Sequence, residues 1–150
     1  MDPHTLFSIF DAGDEEIYRE NKVEGLLDNP YVLMGMVLRG LENWAIMDNM
    51  YMRTHPNEYQ HVREGIKYKY YNKLYGYLNR IPDNKFDSVY RIGESFASAD
   101  IQRGLNTLLY FFQDLEEYEK CAIVKNYIEL LSHEVITKGL LKGTGISLES

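Results

Sequence analysis

The chain has 150 residues, with 23 acidic and 16 basic side chains, a net charge of −7 and a pI of about 5.1. That length suits one domain with a real core, and a composition of 45% hydrophobic and 26% charged residues excludes a disordered chain, a collagen and a disulfide scaffold. The single Cys excludes an internal disulfide and a Cys-based zinc site, and the acidic balance argues against a general nucleic-acid binder.

The N-terminus, Met1-Asp2-Pro3-His4, lacks the basic and apolar regions of a secretory signal. Asp2-Pro3 reads as an N-cap followed by a first-turn proline. A short helix would then carry Leu6, Phe7, Ile9 and Phe10 and end at Ala12-Gly13. Asp14, Glu15 and Glu16 favour the start of a second helix, reaching about Leu27. An apolar helix with an acidic flank suits a partner groove, so Leu6, Phe7 and Phe10 are secondary contact candidates.

Asp28-Asn29-Pro30 is a strong boundary: Asn29 can cap and Pro30 can open the next helix. That helix runs to about Met52, with Val32, Leu33, Met36, Val37, Trp44, Met47 and Tyr51 on its apolar surface. Gly35 and Gly40 each cost about 1 kcal/mol of helix propensity against Ala, which points to close approach of a neighbouring helix. The apolar run from Pro30 to Leu38 is broken by Arg39, Glu42 and Asp48. A membrane span needs about 20 apolar residues, so this is expected to be a core helix, and the chain is expected to be cytoplasmic with no membrane partner.

From Pro56 to Ile81, Tyr59, Val62, Ile66, Tyr70, Leu74, Tyr77 and Ile81 share one helical face. The stretch from Tyr59 to Arg80 carries Arg63, Lys67, Lys69, Lys73 and Arg80 against Glu64 alone, a charge of +4 that leaves the remainder at −11. It also holds six of the 13 Tyr. Tyr70 and Tyr77 belong to the core face. Tyr68 and Tyr75 lie roughly opposite and are the rings offered to a partner. Basic groups beside stacking rings suit single-stranded nucleic acid. Exposed Tyr and Arg equally suit a protein interface, and the cations can also pair with acids of the same molecule.

Pro82-Asp83-Asn84 is a turn, Phe86 to Phe96 a short helix candidate, and Ser98-Ala99-Asp100 an expected N-cap region. Ile101, Leu105, Leu108, Leu109 and Phe112 form the next stripe, and Tyr118, Cys121, Val124, Ile128, Leu131 and Val135 the last. Gly139, Gly143 and Gly145 mark a loose tail. The expected architecture is all-α: a single-domain bundle of five to seven helices over residues 1–139, with a flexible tail at 140–150.

Tyr118-Glu119-Lys120-Cys121-Ala122-Ile123-Val124-Lys125-Asn126-Tyr127-Ile128 resembles the second half of a UVR motif, a helical hairpin of excision-repair proteins and of a bacterial kinase activator. Cys121-Ala122 stands at its small pair, and Lys125-Asn126 replaces its Arg-Asp. Residues 105–131 would then form the whole hairpin. The resemblance implies a protein–protein contact element, with Phe111, Tyr118, Lys120 and Lys125 in interaction roles.

Catalytic and metal patterns are incomplete. Glu58-x-x-His61 matches one half of a di-iron bundle site but has no second copy. Glu116-x-x-Glu119 resembles half of the magnesium pattern of all-α nucleotide pyrophosphohydrolases, and Ser132 stands where a second acid is required after Glu129. Cys121 lacks a nearby His and is expected to be a packed, inert thiol. No phosphate loop, nucleophile elbow or His-Glu-x-x-His occurs.

The expectation is therefore a non-enzymatic interaction or regulatory protein that needs no cofactor. Its partner is another protein, met through Arg63, Lys67, Tyr68, Lys69, Lys73, Tyr75 and Arg80. The Tyr/Asn/Met-rich style resembles small bacteriophage proteins and implies action on a host complex. The alternatives are a nucleic-acid-binding accessory protein using residues 59–80, and a virion or other self-assembling component that forms homo-oligomers.

Overall fold

The computed structural model describes residues 29–82 and 92–132, and within them the chain is all-α. Helix α1 spans Pro30–Thr54, α2 Pro56–Asn79, α3 Ser98–Asp114 and α4 Tyr118–Leu130. A further helical turn covers residues 92–95. The two helices expected before Leu27, with Leu6, Phe7 and Phe10, and the tail at 140–150 lie outside the described residues.

The boundaries follow local chemistry. Asn29 Oδ1 accepts from the Tyr31 N–H at 3.0 Å while Pro30 opens α1, a position where its missing N–H costs nothing. His55 closes α1 and opens α2: its N–H donates to Tyr51 O at 2.8 Å and its carbonyl accepts from the Tyr59 N–H at 2.9 Å. The start of α3 differs slightly from expectation. Ala97 is the N-cap, Ser98 is already helical, and no side chain caps the end.

The α3–α4 turn is a Schellman motif. The Glu117 N–H donates to Phe112 O and the Glu116 N–H to Gln113 O, both at 3.0 Å. Glu116 takes the left-handed position, with φ of 59°.

Two antiparallel hairpins, α1–α2 and α3–α4, pack side by side. Asp48 meets Tyr59 and Arg63, and Trp44 meets Tyr70 and Tyr71, which sets α1 against α2. Gln102 Nε2 donates to the carbonyls of Ile128 and Leu131, each at 3.1 Å, which sets α3 against α4. Between hairpins the neighbours run parallel. Gly104 lies against Leu38 and Leu41 of α1, and Lys120 and Tyr127 of α4 reach Asn72 and Ile81 at the α2 side.

Glycines permit close approach at two helix contacts. A Cβ on Gly40 would collide with Leu74 Cδ2, and one on Gly104 with Leu38 Cδ2. A Cβ on Gly35 would meet Phe96 Cζ at 3.4 Å.

The core contains Leu33, Met34, Val37, Tyr59, Leu78, Ile101, Leu105, Leu108, Phe112 and Val124. The α3 stripe is buried at every expected position, as are Tyr59, Ile66, Tyr70, Leu74, Tyr77 and Ile81 along α2 and just beyond it. In α4, Tyr127 takes the buried place expected for Ile128, and its hydroxyl donates to Ile81 O at 2.7 Å.

Candidate functional site

The basic helix α2 brings its candidate residues to different surroundings. Arg63 turns back onto α1. Its Nε donates to Asp48 Oδ1 at 2.7 Å, its Nη2 to Asp48 Oδ2 at 2.9 Å, and its Nη1 to Glu64 at 3.0 Å. This bidentate grip raises the guanidinium pKa further, chiefly through the Asp48 hydrogen bonds. Lys67 stands 5.4 Å from the centroids of both Tyr71 and Phe111. Lys69 and Arg80 are exposed, and Lys73 is half-buried.

Tyr68 and Tyr75 serve the α2–α4 contact. The Tyr68 hydroxyl donates to Glu117 Oε1 at 2.7 Å, which lowers the Glu117 pKa together with the Lys120 ammonium. Tyr75 is half-buried, edge-on to Phe112 at 5.7 Å, and burial raises its hydroxyl pKa while Lys120 opposes the rise. These rings are therefore less available to a partner than their place on the helical wheel suggests. Tyr71, one position from Tyr70, is buried and meets Phe111 at 4.5 Å. The apolar surface is thus broader than a single stripe.

The hairpin divides the four residues of the UVR-like resemblance. Phe111 and Lys120 point inward to α2. Tyr118 and Lys125 are exposed on the outer side. Cys121 is a buried, unpaired thiol whose Sγ lies 4.0 Å from Leu109 O, while the adjacent Ala122 is exposed. The small pair is thus half in the interface and half outside it.

Sequence reasoning gave Tyr110 and Leu115 no role. Tyr110 is 61% exposed, Leu115 46% and Tyr118 65%. Gln102 and Leu109 face α4, and Ile101, Leu105, Leu108 and Phe112 face the core. Tyr110 is therefore on the outer surface of α3. On α4, Tyr118 stands one turn before the buried Cys121 and on the opposite side of the helix from Tyr127, which reaches Ile81 at the α2 side. Tyr110 and Tyr118 share the outward side of the hairpin near its turn, with Leu115 in the turn itself. The signal available in the sequence was that Tyr110 falls off the Ile101–Phe112 stripe.

Glu58 and His61 are both exposed near the start of α2, as are Glu116 and Glu119 around the hairpin turn. Among the described residues, no group of three His, Cys, Asp or Glu side chains could hold a metal ion, and no helix is long and apolar enough to cross a membrane. No protein-family model, curated protein or solved structure matches the chain.

Proposed function

We propose that the chain is a non-enzymatic interaction protein whose contact surface is the outer side and turn of the α3–α4 hairpin. The observation that carries this reading is the exposure of Tyr110, Leu115 and Tyr118 together on one short hairpin. Tyrosine dominates many interface centres because it offers a large, rigid contact area with a polar tip. Tyr118 and Lys125 are also the residues where the UVR-like resemblance and surface exposure coincide. A phage origin, which the composition resembles, would make the partner a host complex.

The test compares the full chain with a Tyr110→Ser/Tyr118→Ser variant as baits in native extracts, read by quantitative mass spectrometry. A partner held by the parent and reduced at least tenfold by the variant supports the reading. Ile46→Ser, at an exposed position on α1, should retain that partner. An identical partner set for parent and double variant, with unchanged helical signal, overturns the reading.

Binding of single-stranded nucleic acid is the second reading, carried by the exposed Lys69 of α2 and Arg80 at its C-terminal cap. It requires an affinity that falls steeply with salt.

A further inference from the structure

The inward side of the same hairpin holds a different kind of site. Lys120 Nζ stands 5.2 Å from the ring centroid of Phe112, 5.3 Å from Tyr68 and 5.7 Å from Tyr75. The electron-rich face of an aromatic ring attracts a cation at such distances. The same nitrogen donates to Asn72 Oδ1 at 2.5 Å, to Glu117 Oε2 and Oε1 at 3.2 and 3.3 Å, and to the Tyr68 hydroxyl at 3.5 Å. The Tyr68 proton is directed to Glu117, so its oxygen lone pair is available to the ammonium.

The walls of this cage are held by contacts other than Lys120. Phe112 is fully buried and lies edge-on to Phe111 at 5.1 Å. Tyr75 rests edge-on against Phe112, and Tyr68 is fixed by its bond to Glu117 and by Phe111 at 6.5 Å. The cage also opens to solvent, since Tyr68 is 36% exposed and the Lys120 side chain 24%.

We propose that this junction of α2, α3 and α4 is a receptor for a primary alkylammonium group, which the chain's own Lys120 occupies in the conformation described. A primary ammonium carries three donors. Asn72, Glu117 and Tyr68 supply three accepting groups, and the Tyr68, Tyr75 and Phe112 rings face the ammonium. A quaternary ammonium would gain the ring faces and lose every hydrogen bond. The incoming group is the tip of a partner's lysine or a free aliphatic amine. Self-occupation lowers the apparent affinity by the fraction of molecules in which Lys120 is out of the cage.

The test is a titration of the full chain and of Lys120→Ala with n-butylammonium chloride, against sodium chloride at equal ionic strength. Binding is read from the aromatic resonances of Tyr68 and Tyr75 and from the unfolding midpoint. Lys120→Ala should respond saturably at a concentration at least tenfold lower than the parent, and more strongly than to tetramethylammonium. Adding Glu117→Gln should weaken that response. If Lys120→Ala is unfolded in sodium chloride, recovery of its helical signal with butylammonium counts as the same result. Binding of Nα-acetyl-lysine methylamide as well would identify a partner's lysine as an occupant, whereas response to butylammonium alone would identify free amines. A parent chain blind to the amine, with a Lys120→Ala chain that the amine neither binds nor refolds, overturns the proposal. So does equal binding of tetramethylammonium.

Discussion

The Tyr59 hydroxyl donates to Asp48 Oδ1 at 2.7 Å, so a fully buried ring of α2 is tied to the same α1 carboxylate oxygen that accepts from Arg63 Nε. Burial and this hydrogen bond both push the Tyr59 pKa well above the ordinary tyrosine range. Burial alone would raise the Asp48 pKa, but the hydrogen bonds from Arg63 and Tyr59 prevail and hold it below the ordinary carboxylate range.

The pH dependence follows from these two directions. The contribution of Tyr59 is whole below about pH 10, where tyrosine in the unfolded chain is also protonated, and is lost as the pH rises toward the folded value. The contribution of Asp48 is whole above about pH 4 and is lost as the pH falls through the folded value. Tyr59→Phe should cost about 1 kcal/mol at neutral pH and reduce the alkaline loss of stability. Urea midpoints between pH 7 and 11 measure both effects, and an alkaline limb identical to the parent's would refute the assignment.

Glycine substitutions should divide by location. Gly65 lies exposed within α2 with open space around a built Cβ, so Gly65→Ala should stabilise by about 0.5–1 kcal/mol. Gly40→Ala drives a methyl into the buried Leu74 and should destabilise by about 1–3 kcal/mol, whereas Gly104→Ala meets the flexible Cδ2 end of half-buried Leu38 and should cost less. Chemical denaturation of the three variants reads the opposite signs directly.

Glu116 occupies a left-handed position that costs an L-residue about 1–2 kcal/mol. Glu116→Gly removes that steric cost while adding backbone freedom to the unfolded chain, so a net gain of about 0.5–1 kcal/mol is expected. A thermal midpoint at or below the parent's would contradict the account.

Cys121 should react with an aromatic disulfide only when the hairpin opens, because its thiol is buried between α3 and α4. Its labelling rate should rise with urea in step with unfolding. Cys121→Leu should cost more than Cys121→Ala, since the larger side chain must enter the packed helix–helix contact. Full labelling within the mixing time of a native sample would place the thiol elsewhere.

The helices were legible where local chemistry repeats. Asn29-Pro30 and His55-Pro56 mark their boundaries, and spacings of three and four from Ile101 to Phe112 mark a buried face. The arrangement around Lys120 was not legible. Its partner Asn72 lies 48 positions earlier, and no periodic pattern records which of several lysines meets which ring. Tyr68 and Tyr75 read as exposed because a helical wheel accounts for one neighbouring helix, whereas α2 also packs against α4. Tyr110 went unnoticed for the reverse reason: an aromatic off the main stripe carries no mark of whether another helix covers it.

Trp44 is the chain's only tryptophan, and it is buried in α1 with Tyr70 at 5.5 Å and Tyr71 at 6.0 Å between ring centroids. Its fluorescence therefore reports on the α1–α2 hairpin and is fed by excitation energy from the adjacent tyrosines. Circular dichroism averages over both hairpins. Superimposable melting curves from the two signals would mean that the hairpins unfold as one cooperative unit. A dichroism change that precedes the tryptophan emission change would mean that α3–α4 detaches first, carrying the outer tyrosines with it.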